Sequence, residues 1–242
     1  MITSRNNELV KRANSLKEKK YRALYGEYIV EGRKQIREAI GSGQEIVEIF
    51  YSAEYRGERF ACGREIEVSE SVFAKLSEEV APQGVLAVLK IPYRQISAPE
   101  NSALLLDGIS DPGNLGTIIR TANAAGITDL YLRNCADPYA PKCVRSAMSG
   151  TFFVNLFPIQ EEDLAVFDGV SLICADMSGE DVFSFQPPPR FCLVIGNEAN
   201  GVSEKVRKMC SYTVRIPMRS TCESLNAAVS AGILMYQMIQ KQ

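Results

Sequence analysis

The stretch LLLDGISDPGNLGTIIRTANAAG, Leu104–Gly126, decides how this chain is read. An apolar run ends in an acidic loop rich in Gly and Pro, and a helical pattern follows. Asp111-Pro112 supplies a helix cap and a proline for the first turn. Leu115, Ile118, Ile119 and Ala122 then recur at helical spacing and form an apolar stripe, with Gly116, Arg120 and Asn123 on its flank. A buried strand feeding a helix through such a loop is the opening of an α/β protein whose ligand edge lies at the carboxyl ends of its strands. The loop is neither a G-x-G-x-x-G nor a phosphate-binding P-loop sequence. Taken alone, Arg120 also reads as a surface arginine laying its stem on the sheet.

Working outward, apolar strands are predicted at Ala103–Leu106, Asp129–Leu132, Phe153–Phe157, Ser171–Ala175, Phe191–Ile195 and Thr213–Ile216. Helices alternate with several of them, which implies a parallel sheet covered on both faces. Residues 91–102 (IPYRQISAPENS) are polar and contain two prolines, so they read as a linker. Residues 1–90 then form a smaller α/β unit. It comprises a basic helix over Asn7–Leu24, strands at Tyr28–Val30, Glu48–Tyr51, Glu65–Val68 and Val85–Leu89, and helices over Arg33–Ile40 and Ser69–Leu76. Residues 103–242 form the larger unit.

Composition narrows the chemistry. The 242 residues contain no histidine, which removes Ser-His and Cys-His catalysis and histidine metal sites. Seven cysteines without a C-x-x-C pair argue against a disulfide framework or structural zinc, so no metal is expected; Cys222 stands among residues that look functional. No apolar run approaches a membrane span, and the N-terminus lacks an apolar signal core, so no membrane partner and a cytoplasmic location are expected. Net charge is −2, but residues 1–37 hold ten Lys/Arg against four Glu, whereas residues 160–204 hold nine acidic residues against one Arg. The basic end suits a phosphate backbone and equally suits a solvated helix face.

Two further loops follow buried strands. In LVIGNEANGVSE (Leu193–Glu204), Gly196 and Gly201 bracket Asn197 and Glu198, with glycines that permit close backbone approach or positive φ. This loop serves as a tight turn or as a ligand loop. In IPMRSTCESLNAAVSAGI (Ile216–Ile233), a helix is predicted to begin near Ser224, and small residues at Ala227/Ala231 and Ala228/Gly232 let another helix approach.

The ordered set Asn114-x-Gly116-x-x-x-Arg120, then GNEANG, then IPM-x5-SLNAAVSAG resembles the SpoU (TrmH-like) RNA 2′-O-methyltransferases of the SPOUT superfamily. Ala140–Gly150 resembles a further loop of that family, and residues 1–90 resemble the ribosomal-protein-like domain that many members use to grip RNA. The resemblance implies an α/β-knot fold with a deep trefoil knot, S-adenosyl-L-methionine as cofactor, and transfer of its methyl group to a ribose 2′-hydroxyl. It places the cofactor among Ala175, Asp176, Ile195, Gly196, Asn197, Glu198, Gly201, Ile216, Pro217, Met218, Ser224, Leu225 and Asn226.

The catalytic set implied is Arg120, Asn114, Glu198, Ser224 and Asn226, with Asn114 orienting the ribose or Arg120, and Glu198 holding Arg120 or the loop. Arg120 would hold a phosphate or hydroxyl, because arginine does not deprotonate in proteins. Lys11, Arg12, Lys17, Lys19, Lys20 and Arg145 are the candidate RNA contacts. The implied partners are RNA, rRNA before tRNA, and a second copy of the chain. An RNA-binding protein with an inactive methyltransferase fold remains the alternative. Arg219 and Ser220 depart from the family pattern, where many members carry a glycine near Ser220.

Overall fold

A computed structural model describes residues 1–221 and 224–240. Cys222 therefore lies outside the described residues. The chain begins with helices α1 (Glu8–Ser15) and α2 (Lys19–Tyr25), then runs β1 (Glu27–Glu31), α3 (Arg33–Gly41), β2 (Ile46–Ser52), β3 (Arg64–Val68), α4 (Glu70–Leu76) and β4 (Val85–Lys90). These strands form one sheet in the order β1-β4-β2-β3, antiparallel except for the β2/β3 pair.

The single helix expected over Asn7–Leu24 is two helices. Arg22, 4% exposed, turns its guanidinium back to donate to the carbonyls of Leu16 and Lys17 at 2.7 and 2.8 Å. The carbonyls released at the end of α1 are thereby satisfied, and Glu18 adopts an extended conformation that restarts the chain as α2.

Residues 91–102 contain neither strand nor helix, although Ile91 N–H donates to the Gly26 carbonyl and Tyr131 Oη donates to the Ser97 carbonyl, each within 2.8 Å. The second unit continues β5 (Ala103–Asp107), α5 (Pro112–Ala125), β6 (Asp129–Arg133), α6 (Pro141–Ala147), a 3-10 turn at Gly150–Phe152 and β7 (Asn155–Ile159). A 3-10 segment at Glu162–Phe167, β8 (Ser171–Asp181), β9 (Phe191–Gly196), α7 (Glu204–Met209), β10 (Tyr212–Arg215) and α8 (Ala227–Ile239) complete it. All six strands are parallel, ordered β10-β8-β9-β5-β6-β7. The alternation of apolar strands with helices thus produces the sheet it implied. Strand β9 enters between β5 and β8, two strands laid down before it, and α8 returns across the sheet to pack on α5.

Three segments differ from their sequence-based expectation. The strand expected at Phe153–Phe157 begins at Asn155, because Phe152 and Phe153 close the preceding 3-10 turn. The loop Ala140–Gly150 is mostly helix α6. The strand expected to end at Ala175 runs to Asp181 after an irregularity: β10 pairs Thr213 with Cys174 but Val214 with Glu180, so residues 175–179 swing out of the ladder.

One apolar cluster joins the two sheets. It runs from Tyr28 and Val30 on β1 through Tyr139 and Val144 to Leu104 and Ile118. The rings of Tyr28 and Tyr139 meet at 4.9 Å, and Arg22 donates through Nε and Nη2 to Asp137 Oδ2 at 2.9 and 2.7 Å. Among the described residues no helix is long and apolar enough to cross a membrane.

Candidate active site

The site gathers where β5, β8, β9 and β10 deliver their carboxyl ends. Helix α5 starts with Asp111 as cap, its Oδ1 accepting from Asn114 N–H at 2.9 Å, and Pro112 in the first turn. Lys142 Nζ holds the other oxygen of Asp111 at 2.6 Å, and this pairing lowers the Asp111 carboxyl below the usual range. Asn114 therefore stands in the first turn of α5, facing the loop after β9.

Glycine has a different reason at each of three positions. Gly116 is buried against α6, and a Cβ there would lie 2.4 Å from the Cys143 carbonyl oxygen and 2.7 Å from Ser146 Cβ. The motif glycine of α5 thus sets helix-to-helix distance. Gly201 has φ +67°, which favours glycine. Gly196 is needed for close approach, but to its own chain: an added Cβ would meet Gly201 C at 2.2 Å. Asn197 and Gly201 exchange backbone hydrogen bonds at 2.9 Å, and the Asn197 side chain donates to the Gly108 carbonyl at 2.8 Å while accepting from Ala199 and Asn200 N–H. The loop is closed on itself and tied to the β5–α5 loop. Buried Asp107 reinforces the tie, accepting from Arg133 Nη1 at 2.7 Å and from Ser203 N–H at 2.8 Å.

Three motif side chains then meet. Glu198 is an acceptor, so Asn114 presents its Nδ2 to Glu198 Oε1 at 2.8 Å. Its Oδ1 is left to accept from Asn226 Nδ2 at 2.9 Å. Asn226 uses its own Oδ1 to cap α8, accepting from Ala228 and Val229 N–H at 2.9 and 3.3 Å. This cap starts α8 at Ala227 and not near Ser224, so Ser224 and Leu225 remain in the loop. Each amide is oriented by the next, from a helix cap to a carboxylate.

A cavity of about 160 Å³ opens beside this chain. Eleven of the thirteen cofactor candidates line it: Ala175, Asp176, Ile195, Gly196, Asn197, Glu198, Gly201, Ile216, Met218, Ser224 and Leu225. Pro217 and Asn226 do not. Sequence reading missed Met177, Val214, Arg215, Ala227, Ser230 and Leu234, which also line it. Met177 belongs to the excursion at residues 175–179, which no local pattern announced. Asp176 anchors that excursion, accepting from Ser178 N–H and Oγ at 3.0 and 2.7 Å and pairing with Arg207 at 2.6 Å. The Arg207 guanidinium holds its carboxyl down at about 2.

Arg120 stands apart. It is exposed, and its side chain makes no ion pair or hydrogen bond among the described residues. Six helical steps separate it from Asn114, about 9 Å along the axis and about 120° around it. Glu198 holds Asn114 and accepts from Ser110 and Asn197 at 3.4 Å; it does not reach Arg120. Gly150 packs on the backbone of Arg120, with an ideal Cβ 3.1 Å from its Cα, and two residues earlier Met148 sits at φ 53°.

The basic candidates divide. Arg12 is engaged by Glu27 and Glu48 at 2.5 and 3.3 Å, and Lys17 donates to the Lys75 and Ser77 carbonyls. Lys11 pairs with Glu8, and Lys20 with Glu18. Lys19 and Arg145 are exposed and make no ion pair among the described residues. Among the described residues no group of three or more Cys, Asp or Glu side chains converges as a metal site.

Comparisons with known proteins show the family. The model of the SpoU rRNA Methylase family matches residues 101–236, and that of the MRM3-like substrate binding domain matches residues 7–87. The 23S rRNA (guanosine(2553)-2′-O)-methyltransferase RlmP of Bacillus subtilis is 32% identical over 245 residues, covering 98% of each protein. The 23S rRNA (uridine(2479)-2′-O)-methyltransferase of Streptomyces viridochromogenes is 30% identical, covering 100% of this chain and 92% of that protein. Among solved structures, the SpoU methyltransferase AviRb of the same organism in complex with AdoMet superposes with a TM-score of 0.90 at 28% identity, covering 98% of both chains. An AdoMet-bound rRNA methyltransferase from Sinorhizobium meliloti gives 0.87 at 28%, covering 98% of this chain and 95% of that one. With the family's model spanning all six strands of the parallel sheet, and near-full-length relatives at 32% and 30% identity, the chain belongs to the SpoU rRNA methylase family.

Proposed function

We propose that this protein transfers the methyl group of S-adenosylmethionine to a ribose 2′-hydroxyl of ribosomal RNA. The observation that carries the reading is the Asn114–Glu198–Asn226 chain, which joins three motif loops beside a cavity of suitable character. Ile195, Ile216, Met218, Leu225 and Leu234 give that cavity apolar walls for a flat heterocycle. Of its two acidic members, Asp176 is paired with Arg207 and bonded by Ser178, and Glu198 accepts from Asn114, Ser110 and Asn197. These residues fit the cofactor, which supplies an electrophilic methyl group when bound.

The protein's part is then to position the hydroxyl and to manage one proton. Glu198 holds Asn114 in one orientation, and Asn114 places its amide at the edge of the cavity. Arg120, permanently charged and unpaired among the described residues, grips a phosphate next to the target ribose. Ser224 and Leu225 close the cavity from the loop before α8.

The working form is a homodimer, and its interface is the outer face of α5 and α8. Val229 and Tyr236 on α8 are 51% and 44% exposed. Thr121, next to Arg120 on α5, meets α8 at Gly232, where an added Cβ would lie 3.6 Å from Thr121 Cγ2. Each methyl-transfer centre therefore borders both protomers. The reaction takes place in the cytoplasm, where bacterial rRNA is made. Residues 1–90 grip the RNA, residues 91–102 link, and residues 103–242 carry the reaction.

The test is incubation of the purified protein with methyl-labelled S-adenosylmethionine and unmodified rRNA. Label recovered in alkali-resistant dinucleotides supports ribose methylation. Saturable cofactor binding with no transfer to rRNA would overturn the reading in favour of an inactive RNA-binding protein.

A further inference from the structure

Beyond the cofactor cavity, three surface depressions border the N-terminal unit, and their charges set them apart. One is lined by Lys17 and Arg145 against Glu31, Glu78 and Glu79, an acidic balance. A second carries Arg33 and Arg56 against Glu54 and Glu70, a neutral balance. The third lies under the linker, in two adjoining parts of about 730 and 370 Å³ that share Arg22, Ala23, Ile91, Tyr139 and Pro158. Its charged residues are Lys19, Arg22, Arg94 and Asp137, and Arg22 and Asp137 neutralise each other at 2.7 Å. Lys19 and Arg94 remain, both exposed and without an ion-pair partner among the described residues.

The same cleft presents an aromatic ring. Tyr93 lines it and is 93% exposed. Its loop is held at both ends, by Ile91 N–H on the Gly26 carbonyl at 2.8 Å and by Tyr131 Oη on the Ser97 carbonyl at 2.7 Å. A ring beside two unpaired cations on a tethered loop is what single-stranded nucleic acid requires: bases stack on the ring and phosphates meet the cations. The far wall of the cleft, Asn134–Pro138, is bonded to the reaction centre's own loop, since Ala136 N–H donates to the Ile109 carbonyl and Gly108 N–H to the Arg133 carbonyl, both at 2.8 Å. On its other side that loop meets Asn197 and Glu198. The cleft and the cofactor cavity thus flank one strand-to-helix loop.

We propose that this cleft holds an unpaired segment of the RNA substrate, with a base stacked on Tyr93 and the backbone on Lys19 and Arg94. The proposal rests on the methyltransferase reading and names where its substrate lies.

The experiment measures binding of a fluorescent twelve-nucleotide unstructured oligoribonucleotide by anisotropy over a salt series, for the full-length protein and for Tyr93→Ala, Lys19→Ala and Arg94→Ala. S-adenosylmethionine titration and thermal melting run in parallel, so that failure of the cofactor reading shows up separately. The expected result is a Kd raised about five- to a hundredfold by Tyr93→Ala, with little change in its salt slope. Lys19→Ala and Arg94→Ala each flatten the slope of log K against log salt by about 0.7. Cofactor affinity and melting temperature stay at their wild-type values. Equal affinity and slope in all four proteins would overturn the proposal and leave the cleft to a polypeptide partner. So would absence of oligoribonucleotide binding in a wild-type protein that binds the cofactor.

Discussion

Asn114 and Glu198, 84 positions apart in sequence, are joined by a 2.8 Å hydrogen bond that fixes which end of the Asn114 amide faces Glu198 and which end is left to Asn226. Glu198→Gln keeps the shape but lets the new amide present either end, so the orientation of Asn114 is no longer imposed. The expected outcome is a fall in kcat of about tenfold or more with a small change in cofactor Kd, read from single-turnover transfer and calorimetry. An unchanged kcat would remove Glu198 from the set of positioning residues.

Asn226 has two roles that one pair of variants separates. Asn226→Ala loses the cap on α8 and is expected to cost about 1 kcal/mol of stability. Asn226→Asp keeps the acceptor for Ala228 and Val229 N–H but has no donor for Asn114. It is expected to melt near wild type while transferring methyl groups poorly. Equal activity in Asn226→Asp and wild type would show that the Asn114 contact is dispensable.

Arg120→Ala is expected to abolish transfer while leaving cofactor affinity within about twofold, since the side chain does not line the cavity. Survival of activity would contradict its assigned grip on the RNA phosphate.

Two backbone positions behave in opposite ways. At Gly116 an added methyl would collide with the Cys143 carbonyl at 2.4 Å, so Gly116→Ala is expected to destabilise by about 1–3 kcal/mol and to push α6 from α5. Met148 sits at φ 53°, ψ −126°, a region natural to glycine. Met148→Gly is expected to raise stability by about 1 kcal/mol, read from denaturant midpoints. A loss of stability there would mean that the Met148 side chain contributes more than its backbone costs.

Acid sensitivity follows from Asp176. Its carboxyl is held down at about 2 by Arg207, against an ordinary value of 3.8. A lowered acid contributes stability above its unfolded value and loses it as pH falls from about 4 towards 2. For a partly exposed pair this contribution is about 0.2–1 kcal/mol. The stability gap between wild type and Asp176→Asn is expected to be constant above about pH 5 and to close below pH 3; a gap independent of pH would assign it to packing.

Motif segments at strand ends were legible because Gly, Asn and acidic residues interrupt apolar runs there, which marked Asn114, Glu198 and Asn226 after three different strands. What joined them was not, since hydrogen bonds spanning 84 and 112 positions leave no local trace. The excursion at residues 175–179 was hidden because Asp176, Ser178 and Gly179 read as the end of a strand, and the irregularity is a property of pairing with β10. The break between α1 and α2 was hidden because Lys and Glu are good helix formers. It depends on Arg22, whose long side chain finds carbonyls behind it and Asp137 ahead of it. Charge counting marked residues 1–37 as basic but could not show that Arg12 and Lys17 are internal fastenings while Lys19 faces outward.

The apolar cluster that passes from β1 through Tyr139 to β5 has a consequence for folding. Cutting the chain at the linker would uncover a wound of tyrosines and aliphatic side chains on both halves and leave Arg22 and Asp137 each facing an empty place. Neither piece is then a module that can be exchanged freely, and the intact chain should melt in one calorimetric transition whose enthalpy matches its van't Hoff value. The grip on RNA and the chemistry share one fate: whatever loosens the first unfolds the second.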